Sequence, residues 1–187
     1  MKDLLRVTEI ISPFTGIEFI PEKYLIPASQ RGTLVHKFIE SFLNGNEVFV
    51  FPTEAKPYMS SFRKFWDKHG KIFDDAKITL ERRLNCEIHG ITGQIDVILE
   101  KDGKTYLIDW KTSAKEHHYW CLQGAAYKYL CEVNGYQNVQ KPLFVKINKD
   151  KQADVYKYGD CDFNLETFFK CLDIFKFFNM NTTRVKK

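Results

Sequence analysis

No run of apolar residues in this chain is long enough to cross a bilayer, and Met1-Lys2-Asp3-Leu4-Leu5-Arg6 lacks the apolar stretch of a secretory signal. Neither a membrane-embedded nor an exported protein is expected; a reducing, cytoplasmic setting is. Cysteine is sparse and scattered. The five residues (Cys86, Cys121, Cys131, Cys161, Cys171) are an odd number without a CxxC pair, which argues against a zinc ribbon and a disulfide framework. They read as ordinary buried or half-buried thiols. The GxxxxGK[ST] phosphate loop is missing, so P-loop nucleotide chemistry is not expected. Neither charge sign dominates: 28 basic against 24 acidic residues leave a net charge of +4, only mildly favourable to a polyanionic partner.

What the chain does have is apolar material enough for a core, 44% of 187 residues, with no internal repeat or low-complexity linker. We expect one domain over residues 1–187. Residues 1–28, punctuated by Pro13, Gly16, Pro21 and Pro27, read as an irregular arm, and the Lys-rich 181–187 as a frayed tail. Ser29 fits the N-cap of a helix over about 30–44, with Leu34, Val35, Phe38, Ile39 and Phe42 at helical spacing and Asn44-Gly45 as its stop. Phe49–Phe51 is a short apolar piece, and a basic, aromatic helix fits about 57–73. Then the period changes to two. Strands are expected through Ile78–Leu84, Ile91–Leu99 and Tyr106–Trp110, the last two joined by a hairpin at Lys101-Asp102-Gly103-Lys104. A helix over 116–133, strands near 142–148 and 153–158, and a Phe-rich helix over 163–179 complete an α/β pattern. The expected architecture is a mixed sheet of about five strands flanked by helices.

Two of these strands carry acids where apolar residues should stand. Asp96 follows Gly93-Gln94-Ile95, and Asp109 follows Tyr106-Leu107-Ile108. An acid inside a buried strand is costly unless something compensates it. Lys111 lies two residues past Asp109 and so on the same strand face. A salt bridge between Lys111 and both acids is the structural alternative. Two carboxylates and an ammonium at one point also suit phosphodiester hydrolysis. Carboxylates alone would repel a phosphate by a few kcal/mol at about 4 Å in an effective dielectric near 20. A bound divalent cation reverses that sign, and the lysine can orient the attacking water or take its proton.

The spacing of Asp96 and Asp109-Trp110-Lys111 resembles the PD-(D/E)XK nuclease superfamily, with Ile95 in place of the motif's leading proline. Gly32-Thr33-Leu34-Val35-His36 resembles the helix that precedes the sheet in the RecB-like branch, and Gln123-Gly124-Ala125-Ala126-Tyr127 is similar to that branch's QxxxY motif. The resemblance covers roughly residues 30–130. It implies a restriction-endonuclease-like core and a divalent-metal-dependent DNA nuclease, an exonuclease on single-stranded or end-containing DNA. It implies metal ligands at His36, Asp96, Asp109 and the backbone carbonyl of Trp110, with Mg²⁺ or Mn²⁺ suited to imidazole among oxygens. Lys111 would activate water, with Glu81 as a supporting carboxylate; alternatively Glu81 pairs with a surface cation. Gln123 and Tyr127, at i and i+4 on one helix face, would lie near the DNA or orient the site.

The CRISPR-associated members hold an iron–sulfur cluster with grouped C-terminal cysteines. Nothing here matches them, so no cluster is expected. His117 and His118 diverge by about 100° on a helix, which argues against a shared ion. Phe62, Phe65 and Trp66 could line a strand-binding groove or belong to the core, and the Phe-rich last helix is core or a protein contact. An endonuclease or resolvase of the same chemistry, and a non-catalytic nucleic-acid-binding protein that kept the fold, remain the alternatives.

Overall fold

The computed structural model describes residues 4–46 and 50–180, so Phe49 and the tail 181–187 lie outside the described residues. Six strands form one mixed sheet: β1 (Leu5–Arg6), β2 (Lys77–Cys86), β3 (Ile91–Lys101), β4 (Lys104–Lys111), β5 (Leu143–Lys146) and β6 (Asp154–Lys157). Antiparallel β2, β3 and β4 make its centre, and β5 joins β4 in parallel with β6 antiparallel outside it. The hairpin expected at residues 101–104 is present. Asp102 and Gly103 have φ of 51° and 69°, the two left-handed residues that a tight hairpin matching strand twist requires.

Helices cover both faces. α1 (Val7–Ile11), α4 (Trp120–Val133) and α5 (Cys161–Met180) pack on one side, through Ile10, Tyr127, Leu130 and Phe168. α2 (Glu22–Leu43) and α3 (Lys56–His69) pack on the other, through Val35, Ile39, Phe62 and Phe65. The α/β architecture is as the sequence indicated. Phe62 and Phe65 are buried, with edge-on contacts to Trp110, so they belong to the core and are unavailable for stacking bases.

The reading of residues 1–28 as irregular needs correction. β1 adds a parallel rung beside Ile91 and Thr92, α1 buries Val7, Ile10 and Ile11, and two short 3₁₀ turns follow. α2 then starts at Glu22, seven residues before the cap expected at Ser29, and carries Pro27 inside it. A proline early in a helix removes one hydrogen bond, a tolerable loss where the first turns are solvated. Residues 22–24 are exposed, so no apolar stripe announces this part of the helix.

Candidate active site

β3 is flanked unequally along its length. β2 pairs one edge from Ile91 to Glu100, with a gap at Asp96. On the other edge β1 covers Ile91 and Thr92, and β4 covers Val97 to Lys101. Between them residues 93–96 have no strand partner on this edge, and there β4 parts from β3. Asp96 stands at this fork. Its Oδ2 accepts a hydrogen bond from the backbone N–H of Trp110 at 2.8 Å, taking the donor that the ended ladder leaves free.

One position beyond the paired row Leu80–Val97–Ile108, the register sets Glu81, Asp96 and Asp109 across three adjacent strands. This row departs from regular sheet. The β2–β3 ladder is continuous except at Glu81 and Asp96, and Glu81 has φ of +48°. Both strands change face here. Ile78 and Leu80 pack against the α2–α3 cluster, whereas Leu84 and Cys86 pack against the opposite one. On β3, Ile95 belongs to one cluster and Val97 to the other. A strand of strict period two cannot place i and i+2 on opposite faces; both strands break that period here, β2 at the left-handed Glu81 and β3 at Asp96.

The helices deliver the remaining groups. α2 brings His36 Nδ1 to 3.4 Å from Asp96 Oδ2. On β4, Lys111 Nζ lies 2.6 Å from Asp109 Oδ1 and donates to Gln123 Oε1 on α4 at 3.0 Å. Gln123 Nε2 donates to Asp109 Oδ2 and to the Tyr127 hydroxyl, both at 3.0 Å. Gln123 and Tyr127 are each 4% exposed, so the QxxxY pair forms a buried brace behind Asp109 and Lys111. Gly93 permits the brace: a Cβ there would sit 2.9 Å from the Tyr127 ring. Trp110 turns its indole into the core on the far face.

Gln94 is a residue that the sequence reading passed over. Its Nε2 donates to Glu81 Oε2 and its Oε1 accepts from Arg83 Nη2, each at 2.7 Å. The Gly-Gln-Ile-Asp run offered a signal, because Gln94 and Asp96 are two apart on a strand. Glu81 thus pairs with an amide, not with Arg82, Arg83 or a lysine.

The charges are interdependent. Burial pushes Asp109 up to about 6 against the opposing pull of Lys111, with Asp96 adding to the rise. Burial also acts to raise Asp96, but His36, Lys111 and the Trp110 N–H outweigh it and hold that carboxyl below its ordinary value. Burial acts to lower His36, and Asp96 and Asp109 overcome this, so its pKa is raised. Glu81 is raised by burial and by Asp96. Three carboxyls in so small a space lack enough cations to balance them.

The donor set fits a divalent cation. Ligand atoms of His36, Glu81 and Asp96 lie within 4.8 Å of one another. Asp109 Oδ1 is buried, with the Lys111 ammonium at 2.6 Å and no other hydrogen-bond partner among the described residues. Oxygen donors with one imidazole suit Mg²⁺ or Mn²⁺. Sequence reasoning assigned Glu81 a supporting part and Asp109 a ligand's; in the fold Glu81 stands with His36 and Asp96, while Asp109 leans on Lys111 and Gln123.

Known proteins resemble the chain at the level of fold. A crystal structure from Eubacterium rectale, described as a "putative exonuclease", superposes with a TM-score of 0.53 at 14% identity. The match covers 80% of this chain and 65% of that one, so the chain spans just under two thirds of its neighbour's length. The crystal structure of SSO0001 gives a TM-score of 0.51 at 17% identity, over 94% of this chain and 78% of that one. No curated protein gives a significant match. The family model of the PD-(D/E)XK nuclease superfamily matches residues 14–173, and with the acids and lysine of β3 and β4 at one fork, the chain belongs to that superfamily.

Proposed function

We propose that the chain is a divalent-metal-dependent DNA nuclease, acting as an exonuclease on single-stranded or end-containing DNA. The observation that carries this reading is the meeting of Asp96, Asp109, Lys111 and His36 at the place where β4 leaves β3. His36, Glu81 and Asp96 would hold Mg²⁺ or Mn²⁺, with Asp109 and the Trp110 carbonyl completing the set. The cation, when bound, lowers the pKa of a coordinated water and offsets the charge that builds on the phosphate. Lys111 orients that water or accepts its proton. Gln123 fixes Lys111 and Asp109 relative to each other, and Tyr127 holds Gln123. We assign the QxxxY pair to orientation of the site. The intact acids and lysine favour catalysis over a binding-only role, and the exonuclease assignment leans on the RecB-like order of motifs and on the E. rectale neighbour's name.

Labelled linear single-stranded, linear duplex and covalently closed circular single-stranded DNA, incubated with Mn²⁺ or with EDTA, test the proposal. Cleavage of the linear forms alone, lost in EDTA, is the expected result. Cutting of the closed circle would make the protein an endonuclease. Binding without cleavage in Mn²⁺ would leave only the non-catalytic reading.

A further inference from the structure

A cavity of about 260 Å³ lies over the unpaired stretch of β3, lined by Arg6 of β1, Arg83 of β2, Gln94, Tyr127, Glu81 and Asp96 among others. Its acidic end belongs to the cation site above; its basic end has no part in that site. Neither Arg6 nor Arg83 forms an ion pair among the described residues, although five other pairs do. Gln94 Oε1 accepts from Arg83 Nη2 while Gln94 Nε2 grips Glu81, so one amide ties the guanidinium to the carboxylate. Tyr127, buried at the cavity wall, accepts from Gln123, and its own proton has no acceptor among the described residues. Two guanidinium groups without a carboxylate partner among the described residues, one of them held by Gln94, stand beside the three carboxylates and form a divided site: cation at one end, anion at the other.

We infer that the basic end holds a second phosphate of the substrate strand, one that is not cleaved. The inference rests on the nuclease reading for the identity of the ligand. The phosphate is either an internal diester next to the scissile one or a terminal monophosphate. A guanidinium fork matches the phosphate oxygens of both. The site would thereby fix how far the strand advances past the carboxylates.

The test is binding in EDTA, where cleavage plays no part. Fluorescent single strands ending in 5′-phosphate, 5′-hydroxyl or 3′-phosphate are titrated against the wild-type chain and the R6Q/R83Q variant over a range of salt. Loss of that one phosphate contact should reduce the slope of log K against log salt by about 0.7 on a single strand. A terminal-phosphate ligand makes one phosphorylated end bind more tightly to wild type and not to the variant. An internal ligand gives equal wild-type affinities and the same loss of slope for all three strands. Arg83→Lys should restore slope but not full affinity, because it keeps the charge and loses the fork. Equal slopes and affinities for wild type and R6Q/R83Q on every strand would overturn the inference. Arginine-dependent binding with no cleavage of any strand in Mn²⁺ would instead sink the nuclease reading while this site stood.

Discussion

Asp109→Asn should stabilise the metal-free protein while removing its proposed activity. Asp109 is 5% exposed and its carboxyl is pushed from 3.8 up to about 6, chiefly by burial. A raised carboxyl binds its proton more tightly in the folded chain than in the unfolded one. The ionised form therefore weakens folding. The penalty is absent below pH 3.8, grows as pH rises towards 6, and is complete above. From those two values it amounts to roughly 3 kcal/mol at pH 8 and about half of that at pH 5. Asparagine never ionises and keeps an oxygen for Lys111, but its amide nitrogen faces the Gln123 Nε2 donor, and losing that hydrogen bond offsets about 1 kcal/mol of the gain. Urea denaturation in EDTA should thus place D109N above wild type by roughly 2 kcal/mol at pH 8, with the gap closing as pH falls towards 5. Mn²⁺ should reverse the order: a ligand at 1,000 times its Kd adds about 4.1 kcal/mol to a protein that binds it, and the variant should gain little. A variant no more stable than wild type at pH 8 in EDTA would refute the argument, since Asp109 would then be buried as an anion at no cost.

Lys111→Ala should abolish cleavage on gel assays yet leave Mn²⁺ affinity by calorimetry nearly intact; full activity would remove the proposed mechanism. Gly93→Ala sets a methyl 2.8 Å from Leu130 and 2.9 Å from the Tyr127 ring, so thermal denaturation should show a loss of ~1–3 kcal/mol through overpacking. Glu81→Gly and Glu81→Ala should lose activity equally, but the glycine variant should be the more stable by ~1 kcal/mol, because φ of +48° strains alanine and not glycine. Equal stability in urea melts would mean the left-handed residue carries no strain.

The centre of the sheet was legible because its signals are local. Period-two apolar residues marked β2, β3 and β4, and Asp102-Gly103 fixed their hairpin. The acids stood out against that pattern, and Gln123 and Tyr127 share a face at helical spacing. What stayed hidden depends on tertiary contact. β1 is two residues long and owes its conformation to β3. The start of α2 carries no buried stripe, and Pro27 argued against a helix that in fact runs through it. Gln94 looked like an ordinary polar residue of a strand; only the face change at Asp96 and the nearness of Glu81 make it a bridge. The split of duties between Glu81 and Asp109 was likewise out of reach, since it depends on which acid Lys111 and Gln123 engage.

The row Glu81–Asp96–Asp109 explains why the sheet is broken where it is. Like charges directly opposite across a ladder destabilise it, and three acids in one row compound the effect. The two neighbouring rows show what the sheet does without them: Leu80–Val97–Ile108 is fully paired, and Arg82 and Ile95 resume the β2–β3 ladder at once. Only the acidic row lacks its β2–β3 pairing and holds a left-handed residue, and from it onward β4 parts from β3. Each departure costs folding free energy, which the Trp110 N–H to Asp96 hydrogen bond offsets only in part. Each also does what a cation needs: the splayed edge admits it, the turned backbone aims Glu81 at Asp96 and His36, and the freed Trp110 N–H pins Asp96 in place. A distortion confined to one row, and matched to a missing positive charge, points to a ligand that supplies that charge.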